Sequence, residues 1–423
     1  MNPRLWLSLL SLAGLASGLW LVHSPRSIWA LLAVLGVLFG CMHARGHRTI
    51  RWTLALLILL VAIPLAATSN TFLFELLTQI GIFAAMALGL NVVVGMAGLL
   101  DLGYAAFFAM GAYTWAIFGS GQASEFMSGS FPLAGWPYFY IFCALAVITA
   151  ALTGTLIGLP ALRLRGDYLA VVTLGLGQVV RVLANNLDQP VNITNGPQGI
   201  TPVERPPIPW LLSLLDWLGL EATQALGYAL FFYLLVLAVM GAVVLINVRL
   251  DRSRFGRAWV AIREDEIAAR AAGISLLRTK LQAFATGAAF SGIMGAIFAA
   301  KQLFVSPESF TLLQSITILA MVILGGMGSI RGAIIGAAAV TLLNIELLKS
   351  FSDFLVHLRQ TAYVLDLGLI EFNFANLSDQ VEPAKYERMI FGIILVLMMI
   401  FRPAGLIPES RHRLEIAEQE EKD

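Results

Sequence analysis

Residues 226–280 read L-G-Y-A-L-F-F-Y-L-L-V-L-A-V-M-G-A-V-V-L-I-N-V and then, without a break, R-L-D-R-S-R-F-G-R-A-W-V-A-I-R-E-D-E-I-A-A-R-A-A-G-I-S-L-L-R-T-K. No charge interrupts the first part, Leu226 to Val248. A helix needs roughly 20 mainly apolar residues to cross about 30 Å of hydrocarbon, and this stretch is long enough. The second part holds Arg249, Arg252, Arg254, Arg257, Arg263, Arg270, Arg278 and Lys280. Lys and Arg collect in the cytoplasmic loops of membrane proteins, so the pair reads as a spanning helix running into a cytoplasmic loop.

Working outward, the same apolar signature recurs near 5–22, 27–43, 52–68, 72–99, 102–119, 136–158, 168–187, 281–300, 312–330, 332–349 and 388–402, which with 226–247 makes twelve candidate spans. Composition agrees. Of 423 residues 58% are apolar and 13% charged, against about 25% charged in a soluble domain, and the mean hydropathy is +0.81. The expected fold is an all-α polytopic bundle of about ten to twelve spanning helices with a cytoplasmic helix in the loop 249–280. Two places are ambiguous. The stretch 72–119 reads as two helices or as a helix with a broken partner, and 312–349 is interrupted at Gly325-Gly326-Met327-Gly328. Arg4, an apolar run and Ala16-Ser17-Gly18 imitate a signal peptide. They are read as a first span, because no soluble domain follows for export.

Charge sets the expected orientation. Arg45, Arg48 and Arg51, then Arg163 and Arg165, the loop 249–280, and Arg402, Arg411 and Arg413 all fall on one side, which the positive-inside rule makes cytoplasmic. The loops 188–225 and 350–387 are poor in cations and fall outside. Twelve spans then leave both termini in the cytoplasm. The loop 188–225 is rich in Pro, Gly and Asn, which fix turns; it serves as a connector or as a dock for an external partner.

Several chemistries lack their residues. A net charge of +1 gives no handle for nucleic acid. Cys41 and Cys143 make neither a disulfide framework nor a zinc site. His43 and His47 stand four apart but have no acidic neighbour, so no metal is expected. No G-x-x-x-x-G-K-[ST] loop occurs, and ATP is not expected to bind this chain. Glu75, Arg181, Lys301 and Glu346 lie toward helix ends, where long side chains reach the interface; Arg181 is kept as a candidate lining residue.

In the loop, Trp259–Ala272 contains neither Gly nor Pro and favours helix. The small residues Ala268, Ala269, Ala271, Ala272 and Gly273 suit a narrow cleft on a partner. Arg263, Glu264, Asp265, Glu266 and Arg270 suit rim contacts that fix register. Composition leaves this level with a plain basic loop carrying a helical insert.

Other stretches tip the balance. L-G-L-N-V-V-V-G-M-A-G-L-L-D-L-G-Y-A-A-F-F-A-M-G-A-Y (88–113), L-R-L-R-G-D-Y-L-A-V-V-T-L-G-L-G-Q-V-V-R (162–181), N-G-P-Q-G-I (195–200), F-V-S-P-E-S-F (304–310), V-I-L-G-G-M-G-S (322–329) and L-V-L-M-M-I-F-R-P-A-G-L-I-P (395–408) together resemble the M-type (LivM-like) membrane permeases of the branched-chain amino-acid ABC importer family. The loop resembles that family's coupling motif E-A-A-x-x-x-G through Ala268, Ala269 and Gly273, with Ile267 in the Glu position and Glu266 one residue early. The resemblance divides the chain into an N-terminal extension (1–70), a permease core (71–408) and a charged cytoplasmic tail (409–423).

The resemblance implies an importer of Leu, Ile or Val in a bacterial inner membrane. Its partners would be a homologous H-type permease, two cytoplasmic ATPase subunits that bind ATP and Mg, a periplasmic or lipid-anchored amino-acid-binding protein, and membrane lipid. Relatives with similar motifs serve urea, amides or other amino acids. On this reading Phe255, Gly256, Arg257, Glu264, Asp265, Glu266, Ala268, Ala269 and Gly273 serve coupling. Broken helices near Asn91, Gly95, Gly98 and Tyr104, and near Gly325, Gly326 and Gly328, would offer backbone dipoles to a zwitterion, and Arg181 is a further candidate to face the pathway; the same glycines also suit close helix packing. A different class, an ion-coupled secondary transporter, would instead need acidic residues buried within helices.

Overall fold

Where it meets lipid, a chain must close every backbone hydrogen bond within itself, and this one does so with helices. The computed structural model describes residues 28–43, 48–68, 71–133, 135–161, 167–217, 219, 223–360, 364–366, 371–373, 386–402 and 404–408, with 13–14, 16–18, 20 and 23. The first expected span (in large part), His47, residues 162–166, most of 361–385 and the tail 409–423 lie outside the described residues.

Helix α1 is Ile28–His43, and α2 is Arg48–Leu57, carried on by a π turn at Ile58–Ala62 and by Ile63–Ala67. Helix α3 is Phe72–Leu90, ending in a π turn at Asn91–Met96, and α4 is the short Ala105–Phe118. Then come α5 (Trp136–Ala161), α6 (Asp167–Asn186), α7 (Pro209–Trp217) and α8 (Gln224–Asp251). The loop after α8 forms α9 (Arg254–Glu264) and α10 (Glu266–Ala271) before α11 (Leu276–Gln302). Helix α12 is Leu312–Gly325; α13, Ile330–Leu342, passes through a π turn at Leu343–Leu347 into α14, Leu348–Gln360. A small antiparallel pair, β1 (Val364–Asp366) and β2 (Glu371–Asn373), precedes α15 (Glu387–Phe401).

Seven of the helices described are long and apolar enough to cross a membrane, and Thr53–Ala67, Ala105–Phe118 and Gly392–Phe401 are shorter apolar helices. The protein is thus a multi-pass all-α membrane bundle. At its centre are α3 and α11: 89% and 72% of their most apolar windows are buried, against 28% for α6 and α8. Glycine lets α11 approach its neighbours. A Cβ at Gly111 of α4 would stand 1.9 Å from the Gly292 carbonyl of α11, and one at Gly295 would stand 2.2 Å from the Phe108 carbonyl. Backbones in such contact gain dispersion, the main attraction between helices in lipid. A separate apolar cluster ties Val34, Ile58 and Ile63 of α1 and α2 to Phe74 of α3 and Tyr233 of α8.

The ambiguous stretch 72–119 resolves as a full helix followed by a broken one. After Met96 the chain is irregular to Tyr104 and helical only from Ala105. Gly98 lies against Arg263 of α9, whereas Gly119 accepts the Glu204 amide (2.6 Å) in the loop after α6. Residues 97–118 therefore run from the end of the bundle that carries α9, here the basic end, to the far end. Side chains of neighbouring helices satisfy the irregular half: Leu102 donates to Thr173 Oγ1 of α6 (3.1 Å) and Ala105 to Ser315 Oγ of α12 (2.9 Å). At the far end Trp136, Tyr138, Tyr140, Trp210 and Trp217 are exposed, as suits rings that settle at a membrane–water interface.

Candidate functional site

The loop 249–280 folds as two capped helices. Ser253 opens α9 by accepting from the Phe255 (3.1 Å) and Gly256 (3.3 Å) amides. Asp265 ends α9 and opens α10, accepting from Ile267 (2.7 Å) and Ala268 (3.0 Å). Each such cap is worth about 1 kcal/mol. Helix α10 closes with Gly273 donating to the Arg270 carbonyl and Ile274 to the Ala269 carbonyl, both at 3.0 Å. That pairing calls for a left-handed residue after the helix. Gly273 supplies it at φ +83°, with nothing within 4 Å of where a Cβ would stand.

Three contacts hold this element to the bundle. Trp259, 1% exposed, donates Nε1–H to the Thr279 carbonyl at 2.9 Å. The buried Lys280 ammonium donates to Glu266. Arg263 donates Nη1–H to the Gly95 carbonyl and also pairs with its neighbour Glu264.

Of the nine residues expected to serve coupling, Phe255, Arg257, Glu264, Asp265, Ala268 and Gly273 are exposed, while Gly256 and Ala269 are buried and Glu266 is half-buried. Gly256 must lack a side chain because a Cβ would stand 2.3 Å from the Leu250 carbonyl. The shifted glutamate also finds its reason here. Glu266 turns inward to Lys280, leaving Ile267, 74% exposed, at the tip. Ile267 was not singled out as a surface residue from the letters; its place between a capping Asp and two alanines was the available signal. Arg263, expected at a partner's rim, reaches inward instead.

Beneath α9, segments distant in sequence converge. Asn91, fully buried in the π turn, accepts from the Gly328 amide at 2.8 Å. A Cβ at Gly95 would stand 2.2 Å from Asn91 Oδ1 and 2.4 Å from the Gly328 nitrogen. Gly325 packs on Gly332 of α13, and the segment after α15 lies across the turn, with Leu406 and Ile407 donating to the Leu324 and Gly325 carbonyls at 2.9 Å each. A Cβ at Gly326 would stand 2.4 Å from the Ile407 carbonyl. Gly95, Gly98, Gly325, Gly326 and Gly328 thus share one basic-end hub with Asn91. Tyr104 lies deeper, fully buried, its hydroxyl donating to the Gly287 carbonyl of α11 at 2.8 Å. Arg181 is apart from both, at the far end, holding both Glu308 carboxylate oxygens at 2.6 Å.

One buried acid was passed over in the sequence because it falls between two apolar runs. Asp101 is fully buried; its Oδ1 accepts from the Gly103 amide at 2.9 Å and so turns the chain into α4, while among the described residues Oδ2 has no hydrogen-bond partner within bonding geometry. Near the far end, Arg205 lies 5.0 Å over the Tyr228 ring and donates to the Lys301 carbonyl at 3.0 Å. Burial holds its guanidinium below the usual arginine value, with Tyr228 and Glu75 opposing the shift. Among the described residues no group of three or more His, Cys, Asp or Glu is placed to hold a metal.

A polytopic bundle with one half-helical crossing and a capped helical element fastened to one end defines a membrane permease. The chain belongs to the family described as branched-chain amino acid transport system / permease component, matched over residues 72–399. It is similar to the high-affinity branched-chain amino acid transport system permease protein LivM of Escherichia coli, 39% identical over 86% of this chain and 76% of that protein. The protein of the same name from Salmonella typhimurium is 37% identical over the same shares. A probable branched-chain amino acid transport permease from Methanocaldococcus jannaschii is 25% identical over 79% of this chain and 93% of its own length. No solved structure matches with significance.

Proposed function

We propose that this chain is a transmembrane permease subunit of an ATP-driven importer that moves branched-chain amino acids (Leu, Ile and Val) from a binding protein into the cytoplasm of a bacterial cell. It sits in the inner membrane with the basic end and both termini in the cytoplasm. A homologous H-type permease completes the channel, and two cytoplasmic ATPase subunits carry the ATP and Mg. A periplasmic or lipid-anchored protein delivers the amino acid at the far end. The chain itself performs no catalysis.

The observation that carries this reading is the exposed tip of α9–α10, where Phe255, Ile267, Ala268 and Gly273 face outward from an element held on its other side by Trp259. An apolar tip rimmed by Arg257, Glu264 and Asp265 suits a cleft whose core excludes charge and whose rim does not. The test is to purify the chain with its partners and measure which ligands, loaded on the binding protein, stimulate ATP hydrolysis. Leu, Ile and Val should; stimulation by urea, an amide or other amino acids alone would reassign the substrate.

A buried acid, Asp101, though outside the helices, is the observation a second reading, an ion-coupled secondary transporter, would use, since ionisable groups buried in membrane proteins are often functional. Uptake that persists without the ATPase subunits, collapses with the proton gradient and is abolished in Asp101→Asn would establish it in place of the first.

A further inference from the structure

The last carbonyls of a helix have no donor within it, and Gly95, one residue before the end of the π turn, is among them. Its partner is Arg263 of α9, 168 residues away. A guanidinium at a helix C-terminus is favoured both as a donor and by the helix dipole. The fit is close. Gly98, at φ +67°, brings the chain against the arginine so that a Cβ there would stand 2.7 Å from Arg263 Cγ. On the other side of the same π turn, Asn91 holds the Gly328 amide between α12 and α13.

From this we infer that Arg263 is a positioning residue that couples α9 to the end of α3, and that the π turn 91–96 passes the displacement on, through Asn91, to the Gly325–Gly328 turn. The inference rests on the importer reading and adds a second route to the one through Trp259 and α11. An α9 tied only to α11 would move one central helix. Tied also to Gly95, it moves α3, α12 and α13 with it. The π turn suits such a joint, since π turns within helices recur at functional sites, and here one turn carries both Asn91, bonded to Gly328, and the Gly95 carbonyl, bonded to Arg263.

The experiment uses the whole complex in proteoliposomes and measures amino acid moved per ATP hydrolysed. Arg263→Ala should lower that ratio about tenfold, within the span of coupling energies seen for residues remote from both ligands. Arg263→Lys, which can still donate to the Gly95 carbonyl, should regain part of it. Arg263→Ala combined with Asn91→Ala should be no worse than the worse single variant, because both break one line. A wild-type ratio in Arg263→Ala, or effects of the two variants that simply add, overturns the inference. A substrate-independent measurement separates it from the importer reading. Spin labels at Met327, which is exposed, and at Trp136 should change separation on ATP binding in an otherwise wild-type complex and change it clearly less in Arg263→Ala. If the complex hydrolyses ATP and the labels move but no branched-chain amino acid is carried, the substrate assignment fails and the coupling stands. If the labels move equally in Arg263→Ala, the coupling fails whatever the substrate.

Discussion

Trp259→Phe keeps a smaller aromatic ring in the buried site but removes the donor to Thr279 and leaves a small void, so the variant should lose about 1–2 kcal/mol. Trp259→Ala empties the site and should lose about 3–5 kcal/mol, with α9 detaching first. Thermal unfolding in detergent and protease sensitivity at 254–264 read both. Glycine substitutions should separate by mechanism. Gly256→Ala drives a Cβ into the Leu250 carbonyl, whereas Gly273→Ala meets open space and bears only the left-handed strain of about 1 kcal/mol. The first should disrupt the element, and the second should lower the unfolding midpoint only slightly. Gly89 offers a paired test. A Cβ there would stand 2.2 Å from the Tyr104 hydroxyl and 2.9 Å from the Gly287 carbonyl, so Gly89→Ala should be recovered in part by Tyr104→Phe, measured as the midpoint of unfolding. Equal midpoints for the single and double variants would show the clash lies elsewhere.

At the scale of elements, the half-helical crossing depends on two hydroxyls. Thr173→Val or Ser315→Ala leaves the half-buried backbone N–H of Leu102 or the buried one of Ala105 without its acceptor; each should cost about 1–3 kcal/mol, more than an exposed threonine such as Thr68 replaced in the same way. The apolar runs that became α3, α5, α8 and α11 were legible, because a span's length and lack of charge are properties of contiguous letters. The irregular stretch 97–104 was legible only as an ambiguity, since its hydrogen bonds lie on other helices. Asp101 escaped notice for a different reason: it falls between two apolar runs and belongs to neither. Within α9–α10 the helix and its exposed residues could be read. The inward turn of Glu266 and Arg263 could not, because Lys280 and Gly95 are their partners only in space.

For the molecule as a whole, orientation is the open quantity that charge predicts and a labelling experiment measures. Cysteine at Ile267, on the basic end, should react with an impermeant maleimide only from the cytoplasmic face; cysteine at Trp217, 81% exposed at the far end, should react only from the other face. Reaction of both from one side would overturn the orientation. The described N-terminal helices α1 and α2 rest on α3 and α8 through their own cluster, outside the span matched to the permease family. Their removal should therefore leave the hub and α9 in place.

The Thr173 and Ser315 hydroxyls carry one more implication. A crossing that borrows hydrogen bonds from α6 and α12 cannot part from either without leaving the Leu102 or Ala105 amide in need of a new acceptor. When the permease changes shape, those two bonds favour moving the three segments together. Sliding is then easier along contacts that carry no such bond, such as the lipid-facing side of α8, 28% of whose apolar window is buried.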